Sequence, residues 1–303
     1  MTTVLVTGVA GFTGRYLAPL LAAAGHEVHG LVEHLPAVAI EGAAHLHVCD
    51  LTDASSVANA VRAVRPQRVV HLAGIAFVAS SDAKSMYGVN LLGTRHLLEA
   101  TAALQSVPEA VLLASSANVY GNATEGALDE ASPPAPANDY AVSKLAMEYL
   151  AKLYASRLPL IICRPFNYTG VGQSESFLLP KIVAHVRRKA DSIELGNLDV
   201  ARDFSDVRDV SAIYARLLDT PAALGQTLNV CSGTAYALRD VLAIVEGIAG
   251  LRLDVRVNAI LVRKNEVRML RGNRTKLDAL LPDSTERIPL VDTLEWMIRS
   301  PSS

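Results

Sequence analysis

Along the first half of the chain, short apolar runs alternate with longer segments in which apolar residues recur at helical spacing. The runs at 3–7, 27–32, 45–49, 68–72, 110–115 and 159–164 have strand length, and the segments 12–24, 54–64, 84–104 and 138–157 have helical composition. Strands that alternate with helices predict right-handed βαβ units and a parallel sheet covered on both faces. The expected fold is therefore α/β, with a doubly wound parallel sheet. Beyond Arg164 the pattern is irregular, and strand and helix signals return around 206–231. Between Gly121 and Asn138 runs a long segment without periodicity that carries Pro133, Pro134 and Pro136. A loop of that length fits either a wall of a functional site or a plain exposed connection.

Composition narrows the picture by exclusion. A net charge of −2 over 303 residues advertises no nucleic-acid surface, and no stretch of 18 uninterrupted apolar residues predicts a membrane span. The N-terminus has no basic leader and reads as a strand, not a signal peptide. Cys49, Cys163 and Cys231 each end or follow an apolar run, which suits buried thiols in a reducing compartment, so a cytoplasmic location is expected. His45 and His47 could share a strand face, but no matching ligand pair is evident nearby and no metal site is expected. The terminal Ser300-Pro301-Ser302-Ser303 reads as frayed.

Candidate chemistry concentrates in three motifs. Tyr140 and Lys144 stand four apart in a helical segment and so project from one face. A cation beside a phenol favours the phenolate, which lowers the tyrosine pKa and suits it to proton transfer. Alone, the pair also fits an exposed helical surface. Upstream, Thr7-Gly8-Val9-Ala10-Gly11-Phe12-Thr13-Gly14 follows a strand and opens a helix, the context of a dinucleotide-binding turn. Gly8 would permit the tight turn, Gly11 the approach of a pyrophosphate, and Gly14 the packing of helix on strand. Ser115-Ser116-Ala117-Asn118-Val119-Tyr120-Gly121 closes a central strand, where a serine hydroxyl faces the ligand crevice of an open α/β sheet. Glu33, nineteen residues after Gly14 at the end of the second strand, is placed to accept hydrogen bonds from an adenosine ribose and to repel a 2′-phosphate. The cofactor expected is NAD(H), with NADP(H) the alternative.

In this order the motifs resemble the extended short-chain dehydrogenases/reductases that act on nucleotide sugars. The likeness extends through His71-Leu72-Ala73-Gly74, Asn90-Leu91-Leu92-Gly93-Thr94, Arg164-Pro165-Phe166-Asn167 and Asn229-Val230-Cys231-Ser232-Gly233. It implies a Rossmann-type sheet with a smaller C-terminal α/β substrate lobe. A dinucleotide-binding domain would span 1–166 with a return near 205–231, and 167–204 and 232–303 would form the lobe. Ser116, Tyr140 and Lys144 would be the catalytic triad, with Asn90 supporting the lysine through a bound water. Asp50-Leu51 would contact adenine, and Leu72, Ala73 and Gly74 would line the cofactor path with Phe12 and Thr13. The resemblance also implies a homodimer in which helices 84–104 and 138–157 pair with their symmetry mates as a four-helix bundle. Leu92, Leu97, Leu145, Leu150 and Leu153 would supply its surface, unless they pack inward on their own sheet.

The block Gly196-Asn197-Leu198-Asp199-Val200-Ala201-Arg202-Asp203-Phe204-Ser205-Asp206-Val207-Arg208-Asp209 looks like the branch handling GDP-mannose derivatives, which contains GDP-mannose 4,6-dehydratase and GDP-4-keto-6-deoxy-D-mannose reductase. By that likeness Arg202 and Arg263 would hold the diphosphate and Glu266 the ribose, while Asn118, Asn167 and the segment from Gln173 to Lys181 would line the sugar path. Two departures stand out: Lys264 replaces the branch's proline, and its Gly-Trp-Lys-Pro is absent near Leu281-Pro282. A 4,6-dehydratase places acidic residues just after its active-site hydroxyl. Here those positions are Ala117 and Asn118, neither of which is an acid or base. The expected reaction is therefore hydride transfer from NAD(P)H to C4 of a 4-keto-6-deoxy hexose nucleotide, with GDP-4-keto-6-deoxy-D-mannose going to GDP-D-rhamnose the leading case. A 4-epimerase using the same triad is the alternative. A non-enzymatic cofactor sensor is the rival from another class, and the intact triad argues against it.

Overall fold

The computed structural model describes residues 1–76, 82–121, 126–262, 268–282 and 287–301. Six strands of the first half are β1 (Thr3–Thr7), β2 (Glu27–Val32), β3 (His45–Val48), β4 (Arg68–His71), β5 (Ala110–Ala114) and β6 (Leu160–Pro165). Beyond them come β7 (Asn167–Thr169), β8 (Ser192–Leu195), β9 (Ala201–Asp206), β10 (Thr227–Val230), β11 (Ala235–Ala237), β12 (Asp254–Val257) and β13 (Met269–Leu270). The main sheet runs in the order β3-β2-β1-β4-β5-β6-β10 with every pairing parallel. The order reverses between β1 and β4, and the crevice outside the strand ends at such a switch point is where ligands bind.

Strand side chains alternate between two apolar layers. Val4, Val6, Val70, Leu112 and Ile161 join one cluster, while Leu5, Val69, Val111, Leu113 and Ile162 join the other. Helices α1 (Phe12–Ala23) and α7 (Val207–Leu217) cover the first face. The opposite face is covered by α2 (Ala54–Val64), α4 (Thr94–Ala102) and α5 (Asp139–Lys152). Strands buried on both sides explain why the runs carry little polar alternation.

The segment read as one helix over 84–104 is built in three parts. A short α3 (Ala83–Tyr87) passes into a π-helical turn, Gly88–Gly93, which leads into α4. The wider turn carries Asn90 inward, where it is 1% exposed. Its carboxamide is tied twice to the backbone of Ile75, accepting from the amide at 2.8 Å and donating to the carbonyl at 3.1 Å. Such π turns recur at functional sites.

The remaining elements form a smaller body. Strand β9 pairs with β7, β11 and β13, β8 pairs with β12, and α6 (Leu178–Arg187), α8 (Leu238–Ala249) and α10 (Leu290–Arg299) pack over them around a third apolar cluster. A short α9 (Thr275–Leu280) returns to the first cluster through Leu277 and Leu281. The proline-bearing loop is strapped down at Leu128, whose amide donates to Arg271 and whose carbonyl accepts from Asn229 at 2.9 Å. Among the described residues no helix is long and apolar enough to cross a membrane. The three cysteines are buried and unpaired, as the sequence suggested.

One buried ion pair fixes α5 to the sheet. Arg164 of β6 donates to both oxygens of Glu148, at 2.9 and 2.7 Å, and both side chains are buried. Ser115 donates to the same carboxylate, and Arg164 also donates to the Tyr120 hydroxyl at 3.0 Å. Tyr120 in turn donates to Asn229 of β10 at 2.7 Å. Burial works against the charge of Arg164, but the Glu148 carboxylate offsets this and raises its pKa further above the usual range. Removing one partner of a buried pair strands the other without compensation. Glu148→Ala should therefore lose about 3–5 kcal/mol of unfolding free energy, measured by urea denaturation, whereas an exposed pair such as Arg95–Glu99 should cost less than about 1 kcal/mol when broken.

Candidate active site

A cleft of about 1630 Å³ opens at the carboxyl ends of the central strands and extends to the smaller body. Pockets for one small ligand usually measure ~300–1,000 Å³, so this volume suits a dinucleotide and a second large ligand together. Gly8, Gly11, Phe12, Thr13, Gly14, Glu33, Asp50, Leu51, Leu72, Ala73 and Gly74 line it at one end. Ser116, Asn118, Tyr140, Lys144, Asn167, Lys181 and Arg202 also line it. Arg263 and Glu266, with Lys264 between them, lie outside the described residues.

The glycine turn fits a dinucleotide phosphate. Gly8 has φ +69°, and a Cβ there would come within 2.8 Å of the Ala73 amide nitrogen. A Cβ on Gly14 would sit 2.5 Å from the carbonyl oxygens of both Gly8 and Val9, so larger residues would push α1 off β1. Gly11 is the N-cap of α1, with no side-chain cap and no acidic residue in the first turn. Such a helix start is an anion site. Glu33 is largely exposed with the His34 imidazole 3.8 Å away. Asp50 holds the Thr52 amide and hydroxyl at 2.8 and 2.7 Å, and those hydrogen bonds keep its carboxyl below the usual range.

A neutral relay ties the turn to the π segment. The Ala73 amide donates to Thr7 Oγ1 at 3.1 Å, and Thr7 lies 2.7 Å from His71 Nδ1. On the other side His71 Nε2 lies 2.8 Å from Thr94 Oγ1, which donates to the Asn90 carbonyl at 2.7 Å. Thr94 has spent its proton, so Nε2 must be the donor and Nδ1 the acceptor of the Thr7 proton. Burial, helped by the nearby Lys144 charge, pulls His71 down to about 3, so the ring stays neutral.

Ser116, Tyr140 and Lys144 all line the cleft, but their electrostatics differ from the sequence reading. Burial pushes the Tyr140 phenol up to about 12, and the hydrogen bond from Ser116 opposes this only in part. The expected lowering by Lys144 is absent because the ammonium points elsewhere and donates to the Ala114 carbonyl at 2.8 Å. Burial pulls Lys144 down to about 8, while the Glu148 carboxylate one turn on acts to raise it. Ser116 Oγ accepts two hydrogen bonds from Asn118, one from the amide N–H and one from Nδ2, both at 3.1 Å. Asn118, expected to face the sugar, lines the cleft and also orients the serine. Asn90 donates to Ser143 Oγ at 3.0 Å as well as to Ile75, and it lies beneath the cleft surface.

Farther out, Lys181 donates to the Glu194 carbonyl at 2.6 Å, and Asn167 reaches the Asp203 carbonyl at 3.4 Å. Arg202 donates to the Ala201 carbonyl at 2.9 Å. The two acids beside it in sequence have other partners. Asp199 pairs with Arg239, and buried Asp203 accepts from Ser232, Gly233 and Gly272. Sequence reading missed Tyr168, whose hydroxyl lies 2.8 Å from Thr13 Oγ1 while its ring stacks on Phe12 at 6.0 Å. It also missed the Glu148–Arg164 pair behind Lys144, although Glu148 continues the four-residue spacing of Tyr140 and Lys144 and so signalled a shared face.

A glycine cradle at the switch point of a doubly wound sheet, with a buried tyrosine, lysine and serine at its far wall, defines an NAD(P)-dependent oxidoreductase of the extended short-chain dehydrogenase/reductase class. Within that class the chain belongs to the GDP-mannose 4,6-dehydratase family, whose model matches residues 5–282. It is 35% identical over 283 residues to a GDP-6-deoxy-D-mannose reductase of Pseudomonas aeruginosa, covering 90% of this chain and 88% of that one. It is 32% identical over 274 residues to a GDP-6-deoxy-D-talose 4-dehydrogenase of Aggregatibacter actinomycetemcomitans, covering 90% and 89%. Among solved structures, a proposed epimerase from Burkholderia cenocepacia superposes with a TM-score of 0.91 at 52% identity, over 98% of this chain and 97% of that one. The structure of RMD from P. aeruginosa complexed with NADPH gives 0.84 at 32% identity, over 98% of each.

Lys144 loses its charge as pH rises through about 8 while Tyr140 stays a phenol, so kcat/KM for the NAD(P)-linked reaction should fall over that range. Glu148→Gln removes a carboxylate that favours the charged lysine, so this alkaline limb should move to lower pH. Rates measured across pH at saturating cofactor check both expectations.

Proposed function

We propose that this protein reduces C4 of a 4-keto-6-deoxy hexose carried on a nucleoside diphosphate, with GDP-4-keto-6-deoxy-D-mannose going to GDP-D-rhamnose as the leading case. The observation that carries this reading is the kind of acid the cleft holds. Tyr140 rests as a neutral phenol beside Ser116, and the only carboxylates among the described cleft-lining residues are Glu33 and Asp50, which follow the ends of β2 and β3. Elimination of water would need an acid or base beside the sugar, and the positions after Ser116 carry Ala117 and Asn118. Reduction needs one proton, and a buried phenol supplies it.

When bound, the nicotinamide supplies the hydride. Tyr140 gives its proton to the oxygen that gains negative charge, Ser116 orients the carbonyl, and Lys144 supplies positive charge beneath the reacting groups. Arg202, at the cleft wall on β9, is assigned to the nucleotide diphosphate, since a guanidinium suits paired phosphate oxygens. The two curated relatives reported above act on 6-deoxy sugars that differ only at C4, so both reactions connect to one 4-keto sugar. Glu33 favours NAD(H) over NADP(H) in this reading, although the P. aeruginosa structure holds NADPH. The buried thiols support a cytoplasmic setting.

The Burkholderia structure favours one second reading, a 4-epimerase that retains its dinucleotide. Incubating the protein with 4-keto-6-deoxy sugar nucleotides and external NADH or NADPH separates the two. Stoichiometric consumption of the reduced cofactor supports the reductase, and interconversion of C4 epimers without external reductant supports the epimerase. Tyr140→Phe should lower kcat by at least about 10² with little change in NADH affinity. Arg202→Ala should do the reverse and raise the sugar-nucleotide KM about tenfold or more, given ~1.5–3 kcal/mol for a hydrogen bond to a charged group. Wild-type turnover in the first variant would rule out Tyr140 as the acid, and an unchanged KM in the second would remove Arg202 from the pocket.

A homodimer through the face of α5 and the π turn is part of the same proposal. Leu92 and Leu153 are exposed on this face, and Val142 and Tyr149 join them. Leu97, expected in the interface, is fully buried against the sheet, and Leu145 and Leu150 are partly buried against their own chain. Sedimentation velocity at micromolar concentration should show a dimer that Leu153→Glu weakens, and a monomer throughout would overturn it.

A further inference from the structure

Outside the cleft lining, at the outer edge of the main sheet, four side chains of ligand chemistry share one face. Strands β2 and β3 pair in parallel, with His29 opposite His45 and Leu31 opposite His47. Alternate strand residues point to the same side, so Glu27 and His29 on one strand and His45 and His47 on the other form a compact block. Glu27 Oε1 lies 3.2 Å from His45 Nε2 and 3.7 Å from His29 Nε2. One donor atom from each of the three lies within 4.8 Å of the others. Ligands ~2.0–2.2 Å from a shared tetrahedral ion stand roughly 3.4 Å apart, so the two shorter separations already match.

The second nitrogen of His29 is also placed. Nδ1 lies 2.9 Å from His47 Nε2, which leaves Nε2 directed at Glu27. A hydrogen bond on the far nitrogen is the usual means of fixing the tautomer of a ligating imidazole. The side chain of His29 is 14% exposed, that of Glu27 31% and that of His45 54%, so the block has a rigid inner member and an outer member reachable from solvent.

We propose that Glu27, His29 and His45 bind one divalent transition-metal ion of the zinc type, with His47 orienting His29 and solvent filling the open position. Two imidazoles and one carboxylate suit zinc, copper or nickel, whereas calcium and magnesium favour oxygen-only cages. The ion would sit across β2 and β3, where β3 is the outer strand and pairs only with β2 among the described strands. Coordination there clamps the last strand of the sheet. This site lies at the start of β2, and Glu33, at the cleft, follows its far end. Glu27, His29, His45 and His47 are not among the residues that line the cleft.

The test uses tag-free protein stripped with chelator. Calorimetric titration with Zn²⁺ should show one saturable equivalent, and Co²⁺ should give the visible absorption of a low-coordinate site. His45→Ala and Glu27→Gln, both at solvent-accessible positions, should each weaken Zn²⁺ binding at least about tenfold, as loss of even an outer partner costs ~10–100-fold. His47→Gln should weaken binding within that same ~10–100-fold range. Zn²⁺ should raise the thermal midpoint of the wild type and not of His45→Ala, whose fold is checked by circular dichroism. Absence of saturable binding, or binding equally tight in His45→Ala and Glu27→Gln, overturns the proposal.

Discussion

The ion pair between Glu148 and Arg164 is the constraint on which the rest of the site depends. It is buried, so neither charge can be released to solvent, and its geometry must be met whenever the chain is folded. Tyr140, Lys144 and Glu148 repeat every four residues along α5, so the face that carries the proposed acid also carries the anchor. Rotating that helix to misplace the tyrosine would pull Glu148 off Arg164. Ser115 holds the same carboxylate while its neighbour Ser116 faces the cleft, so one carboxylate registers both walls of the site. Through Tyr120 and Asn229 the network reaches β10 and the loop at Leu128, binding late segments of the chain to early ones.

A second network, on the other side of Lys144, is built without charge. The run from Ala73 through Thr7, His71 and Thr94 to Asn90 gives each inner group one definite hydrogen-bond direction. It joins the glycine turn, the end of β4 and the π segment, three pieces of chain that must hold their spacing for a dinucleotide to fit. Buried polar groups that are fully satisfied rigidify their surroundings. The lysine thus stands between a charged support and a neutral one; burial lowers its affinity for a proton, and the Glu148 carboxylate on the charged side acts against that loss.

Much of this was legible in the sequence because it rests on local spacing. Strands buried on both faces announce themselves as apolar runs, and Gly8, Gly14, Tyr140 and Lys144 act through fixed offsets within one turn or helix. What escaped depends on tertiary placement. The π turn has no signature in residues 88–93, since Asn90 turns inward to meet the distant backbone of Ile75. The phenol's raised pKa follows from burial, which spacing cannot report. Leu97 looked available for an interface until the sheet covered it. The block of Glu27, His29, His45 and His47 needed the parallel register of β2 and β3, because His45 and His47 gain partners only when those strands are set side by side.

The double acceptance by Ser116 has a consequence for timing. A hydroxyl has two lone pairs and one hydrogen, and Asn118 occupies both lone pairs. That hydrogen can go to a substrate carbonyl or to the oxygen of Tyr140, but to only one of them at any instant. On the proposed reduction, the carbonyl would gain most from it before Tyr140 gives up its proton, and the bare tyrosine oxygen afterwards. The serine would then act as a toggle whose single hydrogen changes address as charge passes from one oxygen to the other.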